Sequence, residues 1–314
     1  MAWADGELSM SFVATAEQVA VIFVFMLLGL LAAKRRWIGD EAVRGMTTIL
    51  LNFVVPCVIV TAFQHPFSSD RLRDLGVTAL FDMLAFPVSV GVAYAIFRRG
   101  SADQRRTLRF GVVYSNAMFI GFPLVQALAG VDGLFFAVVY VLAFNIYAWT
   151  HGFAMFPGDG SGACRRLFSN PAIWAIVVGL ALFVGRVELP GIVNQGLGLL
   201  GDMTAPLSMI IVGAGLAKVD WGGLFVDGWL WAGVAVRNCL IPLLAVLALW
   251  FVPLSTTARL ATLIPLACPT AAFLVLFTVR SKCDSTFPSS LVALSTVMSM
   301  VTVPAVVALA GMLW

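Results

Sequence analysis

An amide, a glycine and a proline fall within eight positions of one strongly apolar run: Asn116, Gly121 and Pro123 in "YSNAMFIGFPLVQALAG", residues 114–130. Proline removes a ladder donor and crowds the preceding turn, so an interruption is expected here. In hydrocarbon each unpaired backbone group costs roughly several kcal/mol, so such a break persists only where protein or a water-filled cavity satisfies it. A helix restarting after the break presents free N–H groups and the positive end of its dipole, and the chemistry this predicts is recognition of an anion. A second run, "PLACPTAAFLVLF", carries the same punctuation at Pro265 and Pro269. Arg237 lies near the middle of a third run, where a charge costs roughly 2.5–3.5 kcal/mol on insertion scales. Asp82 and Asp202 are acids inside apolar segments that can bind a proton or a sodium ion. No HExxH, GxSxG or His and Asp pairing is present, so no catalytic constellation is predicted.

These residues must be placed by spans that composition makes plain. Of 314 residues 61% are hydrophobic and 11% charged, and mean hydropathy is +0.99, values of a polytopic membrane protein rather than a soluble domain. A net charge of +3 has no soluble basic face to act from, which excludes nucleic acid. The five cysteines form no CxxC pair and read as small hydrophobes. His65 and His151 stand too far apart to predict a metal or haem site, and no cofactor is expected. Apolar segments are predicted at about 13–33, 46–63, 75–97, 110–129, 133–156, 171–187, 196–217, 228–252, 260–279 and 288–313. Asp5 and Glu7 precede the first and Lys34, Arg35 and Arg36 follow it, the reverse of a signal peptide, so it reads as a retained span.

With the N-terminus outside, the inside loops hold fourteen of the 19 Lys and Arg residues, the outside loops four (Arg71, Arg73, Arg186, Arg259), and Arg237 remains within span eight. Both termini are therefore predicted outside. Ten spans divide into 1–157 and 170–314 around a short inside linker, 158–169. An odd number per half means that a repeated half must be inverted. Asn52 precedes Val55 and Pro56 in span two as Asp202 precedes Ala205 and Pro206 in span seven, and the breaks fall in spans four and nine, the fourth of each half. Matching interruptions are the best sequence pointer to a carrier's binding site.

"NFVVPCVIVTAF", "SNAMFIGFPLVQALAG", "NPAIWAIVVGLAL", "DMTAPLSMIIVGAGLA", "AVRNCLIPLL" and "CPTAAFLVLF" together resemble the auxin efflux carrier family, which includes plant auxin exporters and bacterial carriers of malonate or related carboxylates. The resemblance runs through all ten spans. It implies an all-α fold of two inverted five-helix repeats, with a scaffold of spans 1, 2, 6 and 7 and a transport domain of spans 3–5 and 8–10. Broken spans four and nine cross beside the bound anion, and movement is elevator-like. Carried over by motif, Asn116 stands at the span-four crossing, Pro269 and Thr270 at the span-nine crossing, and Asn145 with Trp149 lines the site from span five. The plant exporters' long central loop is missing here, so regulation through it is not expected.

The expectation is thus a secondary carrier for a small organic anion in the inner membrane of a bacterium, coupled to protons or sodium in a way the residues leave open, with a second copy of the chain as a candidate partner. The substrate site is assigned to Asn116, Gly121, Pro123, Asn145, Trp149, Pro269 and Thr270, and the charge or coupling role to Arg237, Asp82 and Asp202. Arg237 is expected to act as a fixed cation that supports the broken helices or draws in a carboxylate. Gly121 and Pro123 have a second reading as a packing kink, Arg237 as half of a structural ion pair with Asp82, and Asp202 as a helix cap or snorkelling residue. A channel would place repeated polar residues along one helix face, and a transport-inactive sensor with this fold stays open.

Overall fold

The structure is a computed structural model describing residues 12–157, 163–219, 221–222 and 227–314. Asp5, Glu7 and residues 158–162 of the expected linker lie outside these. The described residues form helices α1 (Phe12–Lys34), α2 (Asp40–Ala62), α3 (Ser69–Ile96), α4 (Ala102–Val113), α5 (Ala117–Gly152), α6 (Ala163–Phe168), α7 (Pro171–Val184), α8 (Gly191–Leu216), α9 (Gly228–Trp250), α10 (Thr256–Ala267), α11 (Phe273–Arg280) and α12 (Thr286–Leu313), with no strand among them. Seven are long and apolar enough to cross a membrane: α1, α2, α3, α5, α8, α9 and α12. The expected fourth and ninth spans escape a length criterion because each is divided, into α4 with the start of α5 and into α10 with α11.

Helix α5 runs for 36 residues without being one rod. Gly130 has φ 65° and ψ −162°, a conformation open to glycine and costly for any side chain. The chain doubles back there, since the Ser115 and Tyr140 hydroxyls, 25 residues apart, meet at 2.7 Å. Three other irregularities follow one rule. Pro56, Pro123 and Pro242 are each preceded by a widened π turn, Leu50–Val54, Ala117–Gly121 and Val236–Leu240, beginning six residues before the proline. Each ring clashes with the carbonyl four residues back and supplies no N–H, and the local ladder opens to accommodate it.

The two breaks lie at the centre of the molecule, where Ser115 and Thr270 pair as an isolated antiparallel bridge. Asn116 N–H donates to Pro269 O at 2.7 Å and Ala271 N–H to Tyr114 O at 2.9 Å. The interruption therefore falls at Tyr114–Asn116, earlier than the apolar pattern predicts; Gly121 and Pro123 belong to the helix that restarts. At Gly121 a β-carbon would stand 3.3 Å from Cys268 Sγ and 3.6 Å from Pro265 Cα, so α5 packs closely against the second break here.

Two helices ending in the interior leave C-terminal carbonyls without intrahelical donors. Arg237 supplies those donors. Its Nη1 donates to Val112 O at the end of α4 (2.8 Å), its Nη2 to Leu266 O (2.5 Å) and its Nε to Cys268 O (3.0 Å), at the end of α10. The side chain is fully buried, and its cation stands at the negative ends of both half-helix dipoles. The expected ion pair with Asp82 does not form, because every arm of the guanidinium is directed to backbone carbonyls.

A lysine presents one point charge where this site uses a planar fork. Arg237→Lys is therefore expected to fall close to Arg237→Ala in folded yield and melting temperature in detergent. Each orphaned buried carbonyl costs about 1–3 kcal/mol. A Lys variant as stable as the parent would show that the charge alone suffices.

Candidate functional site

The crossing is built from both halves of the chain, and so are its supports. Ser115 Oγ meets Tyr140 Oη at 2.7 Å, while Thr270 N–H donates to Ser295 Oγ at 3.0 Å and Thr270 Oγ1 donates to Gly111 O at 3.1 Å. Ser295 in turn donates to Asn238 Oδ1 (2.7 Å), and Asn238 Nδ2 donates to Ser295 O (2.8 Å). All of these side chains are buried, so the network meets the requirement that interior polar groups find partners. None of Ser115, Tyr140, Ser295 and Asn238 was singled out from the sequence. A constant interval could have found most of them: Asp82 and Arg237, Pro87 and Pro242, Thr107 and Thr262, Ser115 and Thr270, and Tyr140 and Ser295 each stand 155 residues apart.

Beyond the bridge, each helix restarts with donors free. Asn116 O accepts from Ile120 and Gly121 N–H, leaving Ala117, Met118 and Phe119 N–H without a backbone acceptor. On the other strand Ala272 and Phe273 N–H are in the same condition. The free donors are thus one turn nearer the bridge than the expected position around Gly121, whose own N–H is bonded. The Asn116 side chain is buried, makes no hydrogen bond within the protein, and borders a narrow cleft with Met118, Phe119, Val141, Phe144 and Phe273. The cleft has about 10 Å³, room for about one water molecule.

Asn145 and Trp149 lie on the returning limb of α5 but differ in what they offer. Asn145 is fully buried; its Nδ2 donates to Val141 O (2.8 Å) and its Oδ1 accepts from Asn170 Nδ2 (2.6 Å), tying α5 to the start of α7. Trp149 keeps a buried indole N–H with no acceptor and packs edge-on to Phe273. Asp82, on α3, is fully buried and neither carboxylate oxygen has a donor; the Thr78 hydroxyl one turn away is also unpaired. Tyr140 stands close enough to interact with both Asp82 and Arg237. Asp202 is exposed just after the Gly191–Gly201 segment of α8, and Asn52 is exposed on α2, bonded to Thr48 O, so neither reaches the crossing. No cluster of metal-ligating side chains exists among the described residues. His65 instead approaches Asp132 (3.4 Å), which Arg71 also contacts (2.9 Å), and burial holds its imidazole below the ordinary histidine pKa.

Two comparisons bear on what this arrangement serves. The family described as membrane transport protein matches residues 14–164 and 160–307. A protein of Methanothermobacter thermautotrophicus, called an uncharacterized transporter, is 24% identical over 300 residues, which cover 94% of this chain and 98% of that one. Matched along nearly its whole length and carrying the motifs of spans two, four and six to nine, this multi-pass chain belongs to the membrane transport protein family, that of the auxin efflux carriers.

Proposed function

We propose that the protein is a secondary carrier that binds a small organic anion, of carboxylate type, beside the crossing of the two broken helices. One observation carries this reading: Asn116, with no partner inside the protein, stands at the head of a helix whose first three N–H groups are free. Donors without acceptors at the positive end of a helix dipole suit a carboxylate. The buried Arg237, spent on carbonyls, adds long-range positive potential rather than a direct contact.

The ten crossings expected from hydropathy are supported by dividing α5 at Gly130 and counting α4 and α10 with their continuations, and α7 as a short span. Inverted five-helix halves are supported by the 155-residue interval, which relates bridge partner to bridge partner. Movement of α3–α5 and α9–α12 against α1, α2, α7 and α8 would open the site, since the cleft beside Asn116 is too small for a carboxylate as it stands. A channel is disfavoured because the bridge joins the two breaks by direct backbone bonds and the buried polar side chains around it bond to one another.

Removing the amide is expected to weaken binding and spare the fold. For Asn116→Ala, loss of a charge-assisted hydrogen bond of about 1.5–3 kcal/mol corresponds to a roughly 10-fold to 150-fold rise in Kd for the carboxylate that best raises the melting temperature of the purified protein. Asn145→Ala should chiefly lower that melting temperature, because its amide joins α5 to α7. Unchanged affinity in Asn116→Ala would reduce the break to a packing device.

Asp82 is assigned as the group that exchanges a proton during transport. An ionised carboxylate with neither counter-ion nor donor would carry a large burial cost, and a proton removes it. The titratable group facing it is Tyr140, and no cation pairs with it among the described residues. In proteoliposomes, Asp82→Asn should keep equilibrium binding of the same carboxylate while uptake stops responding to an imposed pH gradient. A gradient response equal to that of the parent would remove Asp82 from coupling.

A further inference from the structure

On the arginine-rich side, where α6 leads from α5 to α7, donors collect without acceptors. Arg166, on α6, lays its guanidinium 4.6 Å from the centre of the Phe153 ring and 5.7 Å from that of Trp149. Arg280, the last residue of α11, stands 5.9 Å from the same Phe153 ring. Like charges brought to one aromatic bed repel, and the Arg166 guanidinium is held below its ordinary pKa by burial and by Arg280. Among the described residues no carboxylate pairs with either. Arg166 Nη1 is buried without an acceptor, and so is Trp149 Nε1 beneath it.

Two cations and an indole N–H converge on an aromatic floor of Phe153 and Phe277. Buried donors in this state cost free energy unless an acceptor arrives, and a planar guanidinium is suited to an oxyanion with two oxygens. Trp149 also touches Phe273, which borders the cleft beside Asn116. From this geometry we infer that Arg166, Arg280 and Trp149 form a second anion site, a mouth site taking a carboxylate or similar oxyanion from the aqueous phase, one aromatic side chain away from the crossing. Its role as an anteroom rests on the proposed transport function; its capacity to bind does not.

Inorganic sulfate is the probe, since it tests oxyanion binding without requiring the transported molecule. Calorimetric titration of the purified protein in neutral detergent should show saturable binding, and Arg166→Gln with Arg280→Gln together should weaken it by about tenfold or more, each single change less. Trp149→Phe, which keeps the ring and deletes the donor, should weaken it by a smaller factor. Asn116→Ala separates the two readings: it should leave sulfate binding at the mouth intact, whatever it does to the carboxylate at the crossing. The proposal is overturned if the double variant binds sulfate as the parent does, or if the parent binds none. It is equally overturned if the double change leaves sulfate binding as in the parent and lowers only the phosphatidylglycerol that copurifies with the protein, which would make the site a lipid headgroup contact.

Discussion

One guanidinium holds the centre of this protein together. Two helices end inside the molecule, and their last carbonyls have neither water nor a following turn to bond to. Arg237 reaches both ends at once, from a third helix, with its three kinds of nitrogen engaged on three carbonyls. The bridge between Ser115 and Thr270 joins the two breaks by two further backbone bonds, Asn116 N–H to Pro269 O and Ala271 N–H to Tyr114 O. A charge otherwise costly at this depth becomes the least costly way to end two helices in hydrocarbon, because it meets acceptors and two negative dipole ends together.

With the carbonyl ends capped, the donor ends are left unsaturated. The same break that consumes Arg237 on one side leaves Ala117–Phe119 N–H, Ala272 and Phe273 N–H and the Asn116 amide on the other. This asymmetry separates polar groups that have partners from those that have none. The polar side chains with complete partner sets, Ser115, Tyr140, Asn238 and Ser295, support the bridge. Asn116, in the break itself, and Asp82, on α3, have side chains without partners, and they are the groups to which the proposed anion and proton roles fall. Trp149, whose buried indole N–H has no acceptor, continues the unsaturated set on the far side of Phe273.

Prolines shape the helices around this centre without breaking them. At Pro56, Pro123 and Pro242 the ladder widens into a π turn and recovers, and Asn238 sits in one such turn with its amide turned to α12. The first break lies apart from any proline, at Tyr114–Asn116, whereas the second, after Ala267, contains Pro269, whose carbonyl accepts from Asn116 N–H. Proline alone therefore does not fix where the chain unwinds: at Pro56, Pro123 and Pro242 the helix absorbs the lost bond locally, and at Pro269 it does not.

Local properties of the chain are legible in the amino-acid sequence alone. Hydropathy marks the spans, since the cost of polar groups in lipid acts residue by residue, and the amide ahead of Gly121 and Pro123 marks the region of the crossing. The depth of Arg237 is readable for the same reason. Its partners are not: Val112 and Leu266 are 125 and 29 residues away, and charge alone points to Asp82 instead. Choosing between a carboxylate and backbone carbonyls requires knowing that two helices end beside the guanidinium, which is a property of packing. Position within the break misleads in the same way, because Gly121 lies in the restarted helix with its N–H bonded to Asn116 O, packed beside Cys268 and Pro265. Gly130 reverses the chain inside a run that hydropathy reads as uniform. The convergence of Arg166, Arg280 and Trp149 likewise exists only once α6 and α11 are brought together, since residues so far apart in sequence share no periodicity that could reveal it.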